Sequence, residues 1–126
     1  MGVASRGDMA GVREGWKQKL SRYATSAKTH SANGAESLRQ AGVLERAGQN
    51  PAPKYREAES HYMMVHGAEK GQEMVLRDQI EKGHPDATED TANQHQEAAR
   101  QARVMSTGAG TRAAQYESQF STAATA

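Results

Sequence analysis

Five histidines are the side chains of this chain best suited to hold a metal, and two of them, His61 and His66, lie close in sequence. On a helix their separation rotates one side chain about 140° from the other, so they cannot share an ion as an i, i+4 pair does. The chain has no cysteine and no His-Glu-x-x-His motif. We therefore predict surface histidines, with no bound metal or other cofactor.

Carboxylates are the other groups that could do chemistry, and many lie one helical turn from a base, as Asp78 and Lys82 do. This spacing is typical of a solvated helix face. A catalytic acid or base needs an apolar cavity to shift its pKa, and Leu, Ile, Val and Phe together supply only 12 of 126 residues. No serine-nucleophile, P-loop or dinucleotide motif is present. We predict no catalytic residues and a chain that is not an enzyme.

Composition indicates the fold class. Mean hydropathy is −0.89 and the formal net charge is +1, while strand formers are scarce and Ala, Gln, Glu, Arg and Lys are abundant. We predict an all-α chain of three to five helices in one structural unit. Because bulky apolar side chains are so few, its self-contained core should be small, and its helices should be buried mainly against other subunits.

Glycine and proline divide the chain into three predicted segments, 1–50, 51–85 and 86–126. The first should hold a basic helix capped by Asp8 and a second short helix, separated by a turn at 29–34. The prolines at 51 and 53 and the stretch from Gly83 to Pro85 should bound a long central helix. Thr88 or Asp90 should cap the next helix, and glycines 108 and 110 should break it before a flexible tail. The predicted helices run over about 9–28, 35–47, 54–82, 89–106 and 111–120.

Bulky residues recur at spacings of three and four along the first and central helices, as a narrow stripe that docks on one partner. Since a monomer offers little core for these stripes, we predict that they form an assembly interface. The predicted interface residues are Met9, Val12, Trp16, Leu20, Tyr23, Tyr55, Tyr62, Val65, Leu76 and Ile80.

Charge is uneven along the chain. Residues 1–30 hold six bases and two acids, whereas the remainder holds ten bases and thirteen acids. The basic part can contact anions on nucleic acid or on a membrane surface. It can also dock on the acidic part of a neighbouring copy, and this alternative accounts for both the basic and the acidic part of the chain. The candidate anion contacts are Arg13, Lys17, Arg22 and Lys28.

These features favour a structural subunit of a larger helical assembly, such as a component of a phage or virus particle or a secretion filament, with copies of itself or other proteins as partners. A hydrophilic, largely disordered stress-protective or effector protein that folds on binding is the alternative. A nucleic-acid packaging protein is a third hypothesis, which rests on the basic N-terminal residues alone. We find no signal peptide and no transmembrane stretch, so we expect synthesis in the cytoplasm and incorporation into a particle or filament.

Overall fold

A computed structural model describes residues 15–125, with the side chains of residues 15–121. It contains three α-helices: α1 (Trp16–Arg46), α2 (Ala52–Glu81) and α3 (Glu89–Thr125). No strand occurs within the described range. The all-α prediction with three to five helices is thus confirmed.

The predicted turn at 29–34 is wrong, because α1 runs unbroken from Trp16 to Arg46. Gly34 is buried in this helix, directly beneath the ring of Tyr62 from α2. A helical glycine costs about 1 kcal/mol relative to alanine, and close packing of the tyrosine on the bare backbone offsets that cost. The start predicted at Met9 and the Asp8 cap lie outside the described residues.

The predicted break at residues 108–110 is wrong for a similar reason. The helix α3 continues through Gly108 and Gly110 as far as Thr125, so residues 121–125 are helical rather than a tail. Gly110 is buried against Glu59 of α2. The helix begins where we predicted, since the Thr88 hydroxyl accepts a hydrogen bond from the Thr91 N–H at 3.2 Å.

The central helix matches its prediction closely. It begins at Ala52, slightly earlier than expected, because Pro53 fits within the first turn, where a helix needs no N–H donor. It ends at Glu81, and Gly83 then takes a φ of +78°. The N–H of Gly83 donates to Ile80 O and that of His84 to Gln79 O, both at 2.9 Å, which closes the helix in a Schellman motif.

Helix α2 lies between α1 and α3, which both run antiparallel to it. Each outer helix packs along α2, whereas the backbones of α1 and α3 barely approach each other. Small residues line the contacts at alternating spacings of three and four, so the helices pack through narrow seams. On α3 the seam consists of Ala92, His95, Ala99, Ala102, Ser106, Ala109, Ala113 and Tyr116.

Two apolar clusters form the core. The larger one lies between all three helices and includes Tyr55, Tyr62 and Val65 beside alanines such as Ala58 and Ala113. The smaller one lies at the other end, where Leu76 packs with Ala87 and Ala92. Alanine supplies much of both clusters, and their larger buried side chains are Tyr55, Tyr62, Val65 and Leu76.

Candidate functional site

The predicted interface residues that the structure describes all lie in seams between the chain's own helices. Tyr55, Tyr62, Val65 and Leu76 are buried. Trp16, Leu20 and Ile80 are half-buried and pack around Leu76. Tyr23 lies against Gly71. Met9 and Val12 lie outside the described residues. Contact of these side chains with another subunit stays a prediction.

The candidate anion contacts are partly engaged within the chain. Lys17 Nζ forms a 2.6 Å ion pair with Asp86 and lies over the Trp16 ring. The Arg22 guanidinium lies over the ring of Tyr23, 4.8 Å from its centroid. Lys28 is exposed, and Arg13 lies outside the described residues.

A polar cluster joins the three helices at the end where α1 finishes. The Glu45 carboxylate accepts hydrogen bonds from the hydroxyls of Tyr55 and Tyr116, and from Arg112 Nη2 at 2.9 Å. The rings of Tyr55 and Tyr116 stack, with centroids 6.0 Å apart. These donors hold the pKa of Glu45 below its ordinary value, the Tyr116 hydroxyl most strongly. The carboxylate therefore stays charged and ties α1 to α3 across the end of α2.

A second carboxylate cluster joins α2 to α3 near the other end. Glu73 is almost fully buried, and it accepts a 2.8 Å hydrogen bond from Arg77. Arg77 also donates to Glu89 and to Asn93 of α3, each at 3.0 Å. The hydrogen bond from Arg77 lowers the pKa of Glu73. A general acid at neutral pH needs a raised pKa, and both Glu45 and Glu73 are shifted the other way.

The prediction of surface histidines is wrong, since all five are half-buried and each contacts another residue. His66 Nδ1 lies 2.8 Å from the carbonyl oxygen of Ala99, and His95 Nδ1 lies 3.1 Å from Glu69. His30 and His61 face each other across α1 and α2, with their Nδ1 atoms 3.0 Å apart. His30 and His95 follow the three-four spacing of the seams, a signal that sequence analysis missed. Within the described chain, no three or more His, Asp or Glu residues gather as a metal site.

Two outward helix faces lie outside these seams. The α1 face consists of Lys28, Ala32, Ala35, Arg39, Val43 and Arg46, which are all exposed and share one side of the helix. The α3 face consists of Asp90, Gln94, Glu97, Gln101, Val104 and Gly108, again exposed and on one side. Arg100 and Arg103 lie beside Val104. Val43 is 46% exposed and Val104 is 58% exposed.

An apolar groove of about 500 Å³ runs between α1 and α3 beside the α3 face. Leu38 lies on its α1 side, Val104 and Met105 lie on its α3 side, and Arg112 lines one end. Further exposed apolar side chains lie on the outer side of α2, at Met63, Met64 and Met74.

Comparisons with known protein families, with curated proteins and with solved structures find no significant match. None of the described helices is long and apolar enough to cross a membrane.

Proposed function

We propose that the chain is a non-enzymatic structural subunit that joins copies of itself into an extended helical assembly. The observation that carries this proposal is the pair of outward faces, in which Val43 and Val104 are exposed apolar side chains. In the proposed contact, the α1 face of one copy packs against the α3 face of the next. Both faces would then bury apolar area that one copy leaves in water.

Charge complementarity supports a second copy as the occupant. The α1 face carries Lys28 and Arg46, and neither has an ion-pair partner among the described residues. It also carries Arg39, which pairs with Glu36 of the same helix. The α3 face carries Asp90, which also lacks one in the described chain, and Glu97, which pairs with Arg100. Arg100 and Arg103 also lie beside Val104, so the complementarity rests on the unpaired Lys28 and Arg46 of the α1 face and the unpaired Asp90 of the α3 face. These opposite charges favour this pairing over α1 with α1 or α3 with α3.

The shape of the faces supports the same contact. Ala32 and Ala35 lie between Lys28 and Arg39 on the α1 face, and Gly108 lies one turn from Val104 on the α3 face. Small residues let two helix backbones approach closely, so that Val104 of one copy can pack over the alanines of the next. A Cβ built on Gly108 meets no atom within 4 Å, which leaves that position open to a neighbouring chain.

The two faces belong to different helices on either side of α2, so the contact is head-to-tail. A contact of this kind repeats without closing unless its rotation happens to form a ring, and it therefore generates rows or filaments. Composition predicts a helical subunit with a small hydrophobic core of its own. Such a subunit fits this arrangement, because each copy would complete the packing of its neighbours.

The test is the oligomeric state by size-exclusion chromatography with light scattering over a concentration series. We expect large assemblies for the wild type, and a loss of assembly in Val43→Gln and in Val104→Gln. Both positions are exposed, so the monomer fold should survive, and circular dichroism checks this. Met74→Gln is the matched control. It replaces a methionine of α2 that is 64% exposed and lies on neither face, so this variant should assemble normally. A wild type that stays monomeric, or valine variants that assemble as it does, would overturn the proposal.

A further inference from the structure

A polar cleft of about 380 Å³ lies between α2 and α3, and His66 is part of its lining. Three bases and one acid also line this cleft: Lys70, Arg100, Arg103 and Glu97. Glu97 already pairs with Arg100 at 2.6 Å, which offsets its repulsion of an anion. The cleft therefore carries a net positive charge whether His66 is neutral or protonated.

Two of the bases keep charge that they can offer to a ligand. Arg103 is exposed and has no ion-pair partner among the described residues. Lys70 lies 3.3 Å from Glu73, but Glu73 also pairs with Arg77 at the shorter distance of 2.8 Å. Because one carboxylate serves two bases there, the charge of Lys70 is only partly neutralised.

The hydrogen bond of His66 fixes which of its ring nitrogens carries a proton. Nδ1 lies 2.8 Å from the carbonyl oxygen of Ala99, and a carbonyl can only accept, so Nδ1 is the donor in either protonation state. In the neutral ring, Nε2 is then an acceptor. No described residue bonds to Nε2, and every buried side-chain nitrogen of the described chain has a partner, so Nε2 is open to solvent.

We propose that this cleft binds inorganic phosphate over His66, between Lys70 and Arg103. Lys70 follows His66 by one turn of α2, and Arg103 follows Ala99 by one turn of α3. Since the two helices are antiparallel, the bases lie on opposite sides of the contact between His66 and Ala99.

The chemistry of hydrogen phosphate matches these three groups. Its unprotonated oxygens accept hydrogen bonds from the two bases, and its hydroxyl donates to Nε2 of a neutral His66. Sulfate at neutral pH has no hydroxyl, and neither does the dianion of a phosphate monoester. The cleft should therefore prefer inorganic phosphate to both of these anions while His66 is neutral.

The experiment is calorimetric titration of the full chain with inorganic phosphate, sulfate and glycerol phosphate. At about pH 8, where an ordinary imidazole is neutral, we expect one phosphate to bind, and both other anions to bind at least about tenfold more weakly because Nε2 stays unpaired. At about pH 5.5 a protonated His66 donates through Nε2, so sulfate should bind too. The charged side chains that share the cleft with His66 are lysine, arginine and a paired glutamate, which do not titrate over this range: Lys70, Arg100, Arg103 and Glu97.

Three variants test the assigned groups. Lys70→Gln and Arg103→Gln should each weaken phosphate binding about tenfold or more, since each removes a charge-assisted hydrogen bond. His66→Gln should lose the preference for phosphate over sulfate, because a glutamine amide can donate to either anion. Lys82→Gln is the matched control, since it removes an exposed lysine just beyond the end of α2 and should bind phosphate as the wild type does.

Phosphate binding that is absent in the wild type, or that is unchanged in both Lys70→Gln and Arg103→Gln, would overturn the proposal. Sulfate that binds the wild type as tightly as phosphate at about pH 8 would overturn it as well. Circular dichroism of each variant shows that it is folded. Because none of the three altered residues belongs to the α1 face or the α3 face, failure here leaves the assembly proposal untouched.

Discussion

The ring of Tyr62 lies directly on the backbone of Gly34, where a Cβ would come within 2.8 Å of Tyr62 Cε2. A mirrored contact lies along the same two helices, since a Cβ on Gly71 of α2 would come within 2.7 Å of Tyr23 Cζ on α1. Each helix therefore supplies one tyrosine and receives one on a glycine. This exchange sets the register of α1 on α2, because a shift of either helix would place a side chain under each ring.

We predict that Gly34→Ala destabilises the chain, although alanine is the better helix former. Propensity alone would add about 1 kcal/mol of stability, but overpacking a filled contact costs about 1–3 kcal/mol, and Tyr62 is too buried to move aside freely. Urea denaturation followed by circular dichroism measures the net effect, which should be a loss.

Gly67→Ala is the matched control, since a Cβ on Gly67 of α2 meets nothing within 4 Å and the variant should gain up to about 1 kcal/mol. A Gly34→Ala variant as stable as Gly67→Ala would show that the tyrosine does not rest on the glycine.

The next prediction concerns close approach along α3. We expect Ala113→Leu to destabilise the chain by about 1–3 kcal/mol, because Ala113 is fully buried in the seam and the added atoms have no space. Ala114→Leu places the same side chain at the adjacent, exposed position and should leave stability nearly unchanged, since leucine and alanine have similar helix propensity. Equal stability of the two variants in thermal denaturation would contradict a tightly packed alanine seam.

A third prediction concerns pH. The pKa of Glu45 is lowered in the folded chain, first by the Tyr116 hydroxyl and then by that of Tyr55. A lowered carboxyl pKa contributes stability that is present above the ordinary value of 4.5 and is lost as pH falls through the lowered folded value.

Glu45→Gln should therefore be less stable than the wild type at pH 7, by about 1–2 kcal/mol for charged hydrogen bonds at a partly exposed site. The difference should shrink steadily below about pH 4.5. Urea denaturation of both proteins at several pH values measures it. A difference that stays constant from pH 7 to pH 3 would show that the charge of Glu45 does not hold the cluster together.

The central helix could be predicted from sequence because its boundaries are local. Pro51, Gly83 and Pro85 act on the backbone wherever the rest of the chain lies. The other two helices were predicted in pieces, because Gly34 and Gly110 look like breaks until a partner is seen on each. Those partners, Tyr62 and Glu59, lie far away in sequence, and no local pattern reveals them.

The histidines show the same limit. His30 and His61 are separated by 31 positions, so only the antiparallel register of α1 and α2 brings their rings together. The scarcity of large apolar residues predicts narrow helical seams, and the three helices do pack through such seams. Composition alone does not show that small residues let α1, α2 and α3 pack closely within one chain.

Sedimentation velocity of a mixture of Val43→Gln and Val104→Gln tests the proposed head-to-tail assembly most directly. Each variant alone has one altered face and should stay monomeric. In the mixture, the intact α1 face of Val104→Gln can bind the intact α3 face of Val43→Gln, and growth then stops because both remaining faces are altered. We predict dimers in the mixture, monomers in each variant alone and long assemblies in the wild type. Monomers in the mixture, or long assemblies in either variant alone, would contradict an assembly built from these two faces.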